Sequence, residues 1–171
     1  MRSIFEFLGV RTQPRESESE TIRRIAADLD QLEPERARFV AGFAFLLSRV
    51  AHADQHVSER ETTVMERLVR EKGHLPDAQA ALVVQMARAQ QALFGATDDF
   101  LVTRELASIA PLEEKIALLD CLFAVAAADG RIFAAEADEI GRIARELRVE
   151  QPDVSRLRNA YRDFLVVRHG N

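Results

Sequence analysis

Two short stretches of the chain carry acids at matched spacing: Ala53-Asp54-Gln55-His56-Val57-Ser58-Glu59-Arg60-Glu61 and Ala128-Asp129-Gly130-Arg131-Ile132-Phe133-Ala134-Ala135-Glu136. Each reads Ala-Asp, two residues, Val or Ile, three residues, Glu, and the second lies 75 positions after the first. Carboxylates so placed, with the carbonyl oxygens of a turn between them, could face a divalent cation, because hard cations take oxygen ligands. Asp54, Glu61, Asp129 and Glu136 are therefore the candidate metal ligands, and the identity of the ion is open. Calcium takes roughly six to eight oxygens, so waters, carbonyls or a neighbouring acid would have to complete either site. A structural reading stands beside this one. Each Asp can accept hydrogen bonds from turn amides, and Glu61 can reach back to the Ser58 amide as half of a capping box. In the second copy Phe133 replaces Ser58 and cannot cap, yet Glu136 is kept.

Other chemistry is sparse. His52, Asp54 and His56 could gather around zinc or nickel, but the second copy has Ala127 and Arg131 in place of the histidines, which favours surface histidines. The single cysteine, Cys121, lies in the apolar run Leu118-Leu119-Asp120-Cys121-Leu122-Phe123 and reads as a small buried hydrophobe. There is no Gly-rich phosphate loop, no His-Glu-x-x-His, no full EF-hand loop and no His-Pro-Asp. No catalytic set can be assembled, and the chain is expected not to be an enzyme.

The elements that would hold the acids are helical throughout. Pro34 opens a helix whose stripe is Phe39, Phe43, Leu46, Leu47 and Val50, and it runs into the first acidic stretch. The capping box at Ser58 starts the next, with Met65, Leu68 and Val69 inward and Gly73 as its terminator. Pro76-Asp77 begins another, ended by Gly95, and a further helix covers about Thr97 to Ser108. Pro111 starts the helix that enters the second stretch, with Ile116, Leu119, Leu122, Phe123 and Ala126 inward. Ile140, Ile143, Ala144 and Leu147 follow, and a last helix after Pro152 turns Val154, Leu157, Tyr161, Phe164 and Leu165 inward. The 75-residue offset also relates Leu47, Val50, Ala51, Arg67, Arg70 and Glu71 to Leu122, Val125, Ala126, Arg142, Arg145 and Glu146. The expected fold is all-α, a compact bundle of about seven helices built from two similar helix-turn-helix halves. Residues 1–32 read as an extension, with a polar linker from Arg11 to Glu20 and a short amphipathic helix carrying Ile22, Ile25 and Leu29, and residues 33–171 as the helical domain.

Composition agrees. The 171 residues are 47% apolar and 30% charged, with a net charge of −5, the balance of a soluble globular protein and the wrong sign for general nucleic-acid binding. Arg142, Arg145 and Arg148 form a basic stripe, which reads as a solvated face. No run of about 18 apolar residues occurs, and Glu6 interrupts the short apolar start, so neither a spanning helix nor a signal peptide is expected and the cytoplasm is the expected location. Ile4-Phe5-Glu6-Phe7-Leu8 is the one segment suited to peripheral membrane contact.

The doubled Ala-Asp-Gly-x-Ile-x-x-x-Glu corner at the end of an apolar helix resembles the TerB-like family, named for bacterial tellurite-resistance proteins. The closer piece is Val125 to Ile140 with its Pro111-Leu112-Glu113-Glu114-Lys115 helix start, the looser piece is Val50 to Met65, and the likeness spans about residues 34 to 168. The resemblance implies a bundle of about seven helices, a cytoplasmic bacterial protein and a link to tellurite and other chemical stress. It also implies divalent-metal binding through Asp54, Glu61, Asp129 and Glu136, and scaffolding with membrane-associated protein partners. Gln55 departs from the family's glycine and Phe133 from its small polar residue. The expectation is thus a non-enzymatic, metal-binding stress-response module; the alternative is a metal-independent protein-protein interaction scaffold.

Overall fold

A computed structural model describes residues 16–51, 58–89, 93 and 99–166. Eight α-helices occur among them: α1 (Glu16–Asp30), α2 (Pro34–Ala51), α3 (Glu59–Gly73), α4 (Asp77–Arg88), α5 (Asp99–Ile109), α6 (Leu112–Ala126), α7 (Ala134–Glu146) and α8 (Gln151–Ala160), followed by a 3-10 turn, Arg162–Phe164. The all-α expectation holds. The only pairing of extended backbone among the described residues is a parallel bridge between Ile132 and Leu165.

Helix α2 is the centre. Twelve of its eighteen residues are buried, on every side of the helix, as expected of an element enclosed by others rather than laid on a surface. It packs against α1, α4, α5, α6 and α7. The sequence repeat becomes an exchange of partners: α3 packs on α6, and α7, the copy of α3, packs on α2, the copy of α6. Each half therefore completes the other's core, and neither corner helix buries its apolar stripe within its own half alone. Met65 and Val69 of α3 and Ile140, Ile143 and Ala144 of α7 are buried as the periodicity requires, whereas Leu68 is only partly so.

Three expectations are corrected. The polar stretch taken as a linker to Glu20 is helical from Glu16, since acidic residues suit the first turn of a helix and Ile25 and Leu29 anchor that helix in the core. Gly73 does not terminate α3 by adopting a left-handed conformation; His74 does that, at φ 55°. Gly73 is instead a packing glycine, because a Cβ there would stand 2.9 Å from Cζ of the buried Phe43. Phe164, expected inward, is 39% exposed, because α8 ends at Ala160 and the tighter 3-10 turn that follows changes the direction in which successive side chains point. Gly95 lies outside the described residues.

Two of the helical glycines predict opposite outcomes. Gly141→Ala, whose Cβ would meet only the end of Arg145 at 3.9 Å, should raise stability by about 0.5–1 kcal/mol through helix propensity. Gly73→Ala should instead lower it by about 1–3 kcal/mol, because the Phe43 ring must move within a close-packed core. Denaturant melts of the two variants beside the parent check both signs.

Candidate functional site

The second corner is described in full. Helix α6 ends at Ala126, and the turn closes through Gly130 N–H to Ala127 O at 2.9 Å, with Gly130 at φ 94°, where a side chain would be strained. Asp129 Oδ1 accepts from the Arg131 amide at 3.2 Å, an Asx turn that fixes the mouth of the corner. Ile132 is fully buried and plugs the corner into the core. Its amide donates to Phe164 O at 2.7 Å and its carbonyl accepts from Val166 N–H at 3.0 Å. The strand-like segment 164–166 is delivered there by Tyr161, whose hydroxyl donates to Asp120 Oδ1 at 2.6 Å and whose ring stacks on Phe123 with centroids 5.4 Å apart.

Glu136 accepts from the Phe133 amide at 2.8 Å. That is the reciprocal half of a capping box; the other half is missing because a phenyl ring has no acceptor. In the first corner both halves are present. The Ser58 amide donates to Glu61 Oε2 at 2.7 Å, and the Glu61 amide donates to Ser58 Oγ at 3.2 Å. The Ser58 hydroxyl, then its amide, holds the Glu61 carboxyl below its ordinary range. A lowered acid stabilises the fold above its unfolded pKa, and that contribution disappears as pH falls through the lowered value. Asp54, His52 and His56 lie outside the described residues.

Of the four candidate ligands, three are thus described, and each accepts a backbone hydrogen bond of its own corner. No group of three or more His, Cys, Asp or Glu side chains that could hold a metal ion occurs among the described residues. At the second corner two carboxylates with one oxygen each beyond those bonds fall short of a cation cage. Beside the exposed Asp129 and Arg131, the corner displays apolar side chains outward. Inward-facing Ile132 and Leu165 are flanked by Phe133 (50% exposed), Phe164 (39%) and Val166 (41%), as the alternation of side chains along extended backbone requires. The Arg131 guanidinium lies 5.9 Å from the centroid of the Phe133 ring. Phe133 was legible in the sequence as a lost cap, but its partners across the bridge come from residues more than thirty positions away and carried no signal.

Cys121 is fully buried, and burial, with the charge of Asp120 beside it, pushes its thiol up, which suits a packing residue rather than a nucleophile. In the basic stripe Arg142 is bound to Glu139 at 3.2 Å, and Arg148 closes α7 at φ 59° in a Schellman motif, Val149 N–H reaching Ala144 O at 3.0 Å. No helix among the described residues is long and apolar enough to cross a membrane, and the Ile4–Leu8 segment lies outside them.

The comparison of the corners predicts the effect of restoring the missing cap. Phe133 has φ −73° and ψ 155°, close to Ser58 at −66° and 160°, so a serine there fits the same box. Phe133→Ser should stabilise the protein by about 0.5–1 kcal/mol, read as a rise in melting temperature, whereas Ser58→Ala should lower it by a similar amount.

No curated protein and no solved structure matches the chain. A family model described as Tellurite resistance protein TerB matches residues 40–159, a span that contains both corners and runs from the middle of α2 to the end of α8. With the doubled corner and the all-helical bundle around it, that match means that the chain belongs to the TerB family.

Proposed function

We propose that this protein is a non-enzymatic interaction module serving the chemical-stress response for which its family is named, and that it engages a partner protein through the apolar face of the second corner. The observation that carries this reading is Phe133. It occupies a cap position where a small polar residue would strengthen the fold, and it is half-exposed next to Ile132, across whose bridge to Leu165 the exposed Phe164 and Val166 follow. Large apolar side chains gathered on a surface are a common mark of an interaction site, and a residue that lowers stability where it stands is often kept for what it contacts. The fitting partner presents an apolar cluster of its own, with an acidic group placed to meet Arg131 at the rim.

A second reading keeps the metal. Asp129 and Glu136 each use one oxygen on the corner's own backbone, and the other oxygen of each remains to face an ion completed by water. Asp54 and Glu61 supply the equivalent pair in the first corner.

One pair of variants separates the readings. In a host lacking its own copy and challenged with tellurite, the parent chain should restore survival, Phe133→Ser should fail despite a raised melting temperature, and Asp129→Asn with Glu136→Gln should still restore it. Chelator-stripped protein should melt at an unchanged temperature in millimolar calcium, magnesium, manganese or zinc. A rise of several degrees for one ion, as ligand at about 100 times its Kd should give, that vanishes in the Asn/Gln variant would instead establish the metal reading. Full rescue by Phe133→Ser would overturn the interaction face, and no rescue by the parent chain would overturn the stress role.

A further inference from the structure

The two copies of the helix exchange are sealed by different physics. Where α7 crosses α2, the guanidinium of Arg49, only 9% exposed, is bound on two sides: to Glu139 Oε1 at 2.7 Å through Nε and 2.6 Å through a terminal nitrogen, and to Glu146 Oε2 at 3.1 Å. Glu139 and Glu146 lie seven residues apart, two turns along one face of α7. The same guanidinium lies 3.4 Å from Oγ1 of the buried Thr103, so α2, α5 and α7 meet at a single cation. The equivalent positions in the other copy are Ala124, Val64 and Glu71. Ala124 is buried, Val64 is half-buried, and Glu71 is exposed beside Arg70. The charged cluster therefore belongs to one half only.

We infer that Arg49 is an acid-releasable latch, holding α7 and the second corner against the rest of the bundle and letting them open as a unit while α3 and α6 stay packed. Among the described residues, the charged and titratable groups around Arg49 are Glu139 and Glu146 of α7, with Arg142 of α7 bound to the far oxygen of Glu139; α5 contributes the neutral Thr103, and α2 contributes Arg49 itself. An arginine does not lose its proton, so when both glutamates are protonated a buried charge is left without a counter-charge. Moving α7 outward hydrates it. Between α3 and α6 the ion pair is Lys72 with Asp120 at 3.9 Å, whose lysine is half-exposed and stays hydrated when the carboxylate is protonated, so acid has a weaker lever there. Because α7 begins at Ala134, its release also displaces Phe133 and frees Ile132 from the bridge that organises the exposed apolar face.

Amide hydrogen exchange of the full chain tests this, read as protection factors for α7, α3 and α6 at about pH 7 and about pH 2.5, either side of the range in which carboxylates titrate. Protection in α7 should fall at least tenfold more than in α3 and α6 on acidification. Glu139→Gln with Glu146→Gln should reproduce that selective loss at about pH 7, because the amides imitate the protonated acids. If the double variant does not fold, Glu146→Gln, which keeps the Glu139 contacts, should show a smaller loss confined to α7. Protection that falls equally in all three helices, or remains in α7 when the carboxylates are neutralised, would overturn the latch.

Discussion

A helix enclosed on all sides sets the terms for this fold. α2 is wrapped by five other helices, and every polar side chain it carries into that environment must find a partner, because an unpaired buried polar group costs more than a hydrogen bond returns. Ser48 resolves this locally, donating to Phe45 O at 2.6 Å. Arg36 reaches Gln79 of α4 at 2.8 Å and Glu114 of α6 at 3.1 Å, while its guanidinium covers the Phe39 ring. Arg49 does the same at the opposite end with α5 and α7. The positions of four surrounding helices are therefore tied to two arginines on one central helix, and apolar contact fills the space between.

The second corner makes sense against that centre. It brings a helix out of the core, turns, and sends its successor back across the other half, so the turn must be sharp and its first free amides must be satisfied. A carboxylate within the turn and another at the third helical position meet that demand, and Glu61 holds the same helical position after the first corner. This accounts for Asp129, Glu136 and Glu61 without any ion. It also explains why Glu136 persists where Phe133 has removed the serine: the glutamate's half of the box needs only the backbone amide of the cap residue, which any side chain leaves in place.

The duplication gave two similar scaffolds, and divergence between them is where individuality lies. One corner keeps a full capping box and seats its following helix through apolar contacts with an ion pair, Lys72 to Asp120, at their edge. The other has lost half its cap to an exposed phenylalanine, gained a strand-like brace from segment 164–166, and placed a buried ion cluster under its helix. A half less tightly capped and held partly by charge is the half better suited to move, and it is also the half that displays an apolar face.

Much of this was written in the sequence by itself. The 3.6-residue spacing of apolar positions, the prolines at helix starts and the Ser58-Glu61 pair determined the helices and most of their inward faces, because these signals are local and act within one or two turns. The 75-residue offset determined that the chain is two copies of one unit. Tertiary structure decided the rest, through contacts between residues far apart in the chain. That Gly73 yields to the Phe43 ring, that Arg49 is buried among Glu139, Glu146 and Thr103, and that Phe133, Phe164 and Val166 are left exposed on the two sides of the Ile132–Leu165 bridge all depend on which helix packs where. An arginine or a phenylalanine at a helix boundary reads the same whether it faces water, a carboxylate or a partner. Only the packed arrangement supplies the dielectric and the neighbours that give it a role.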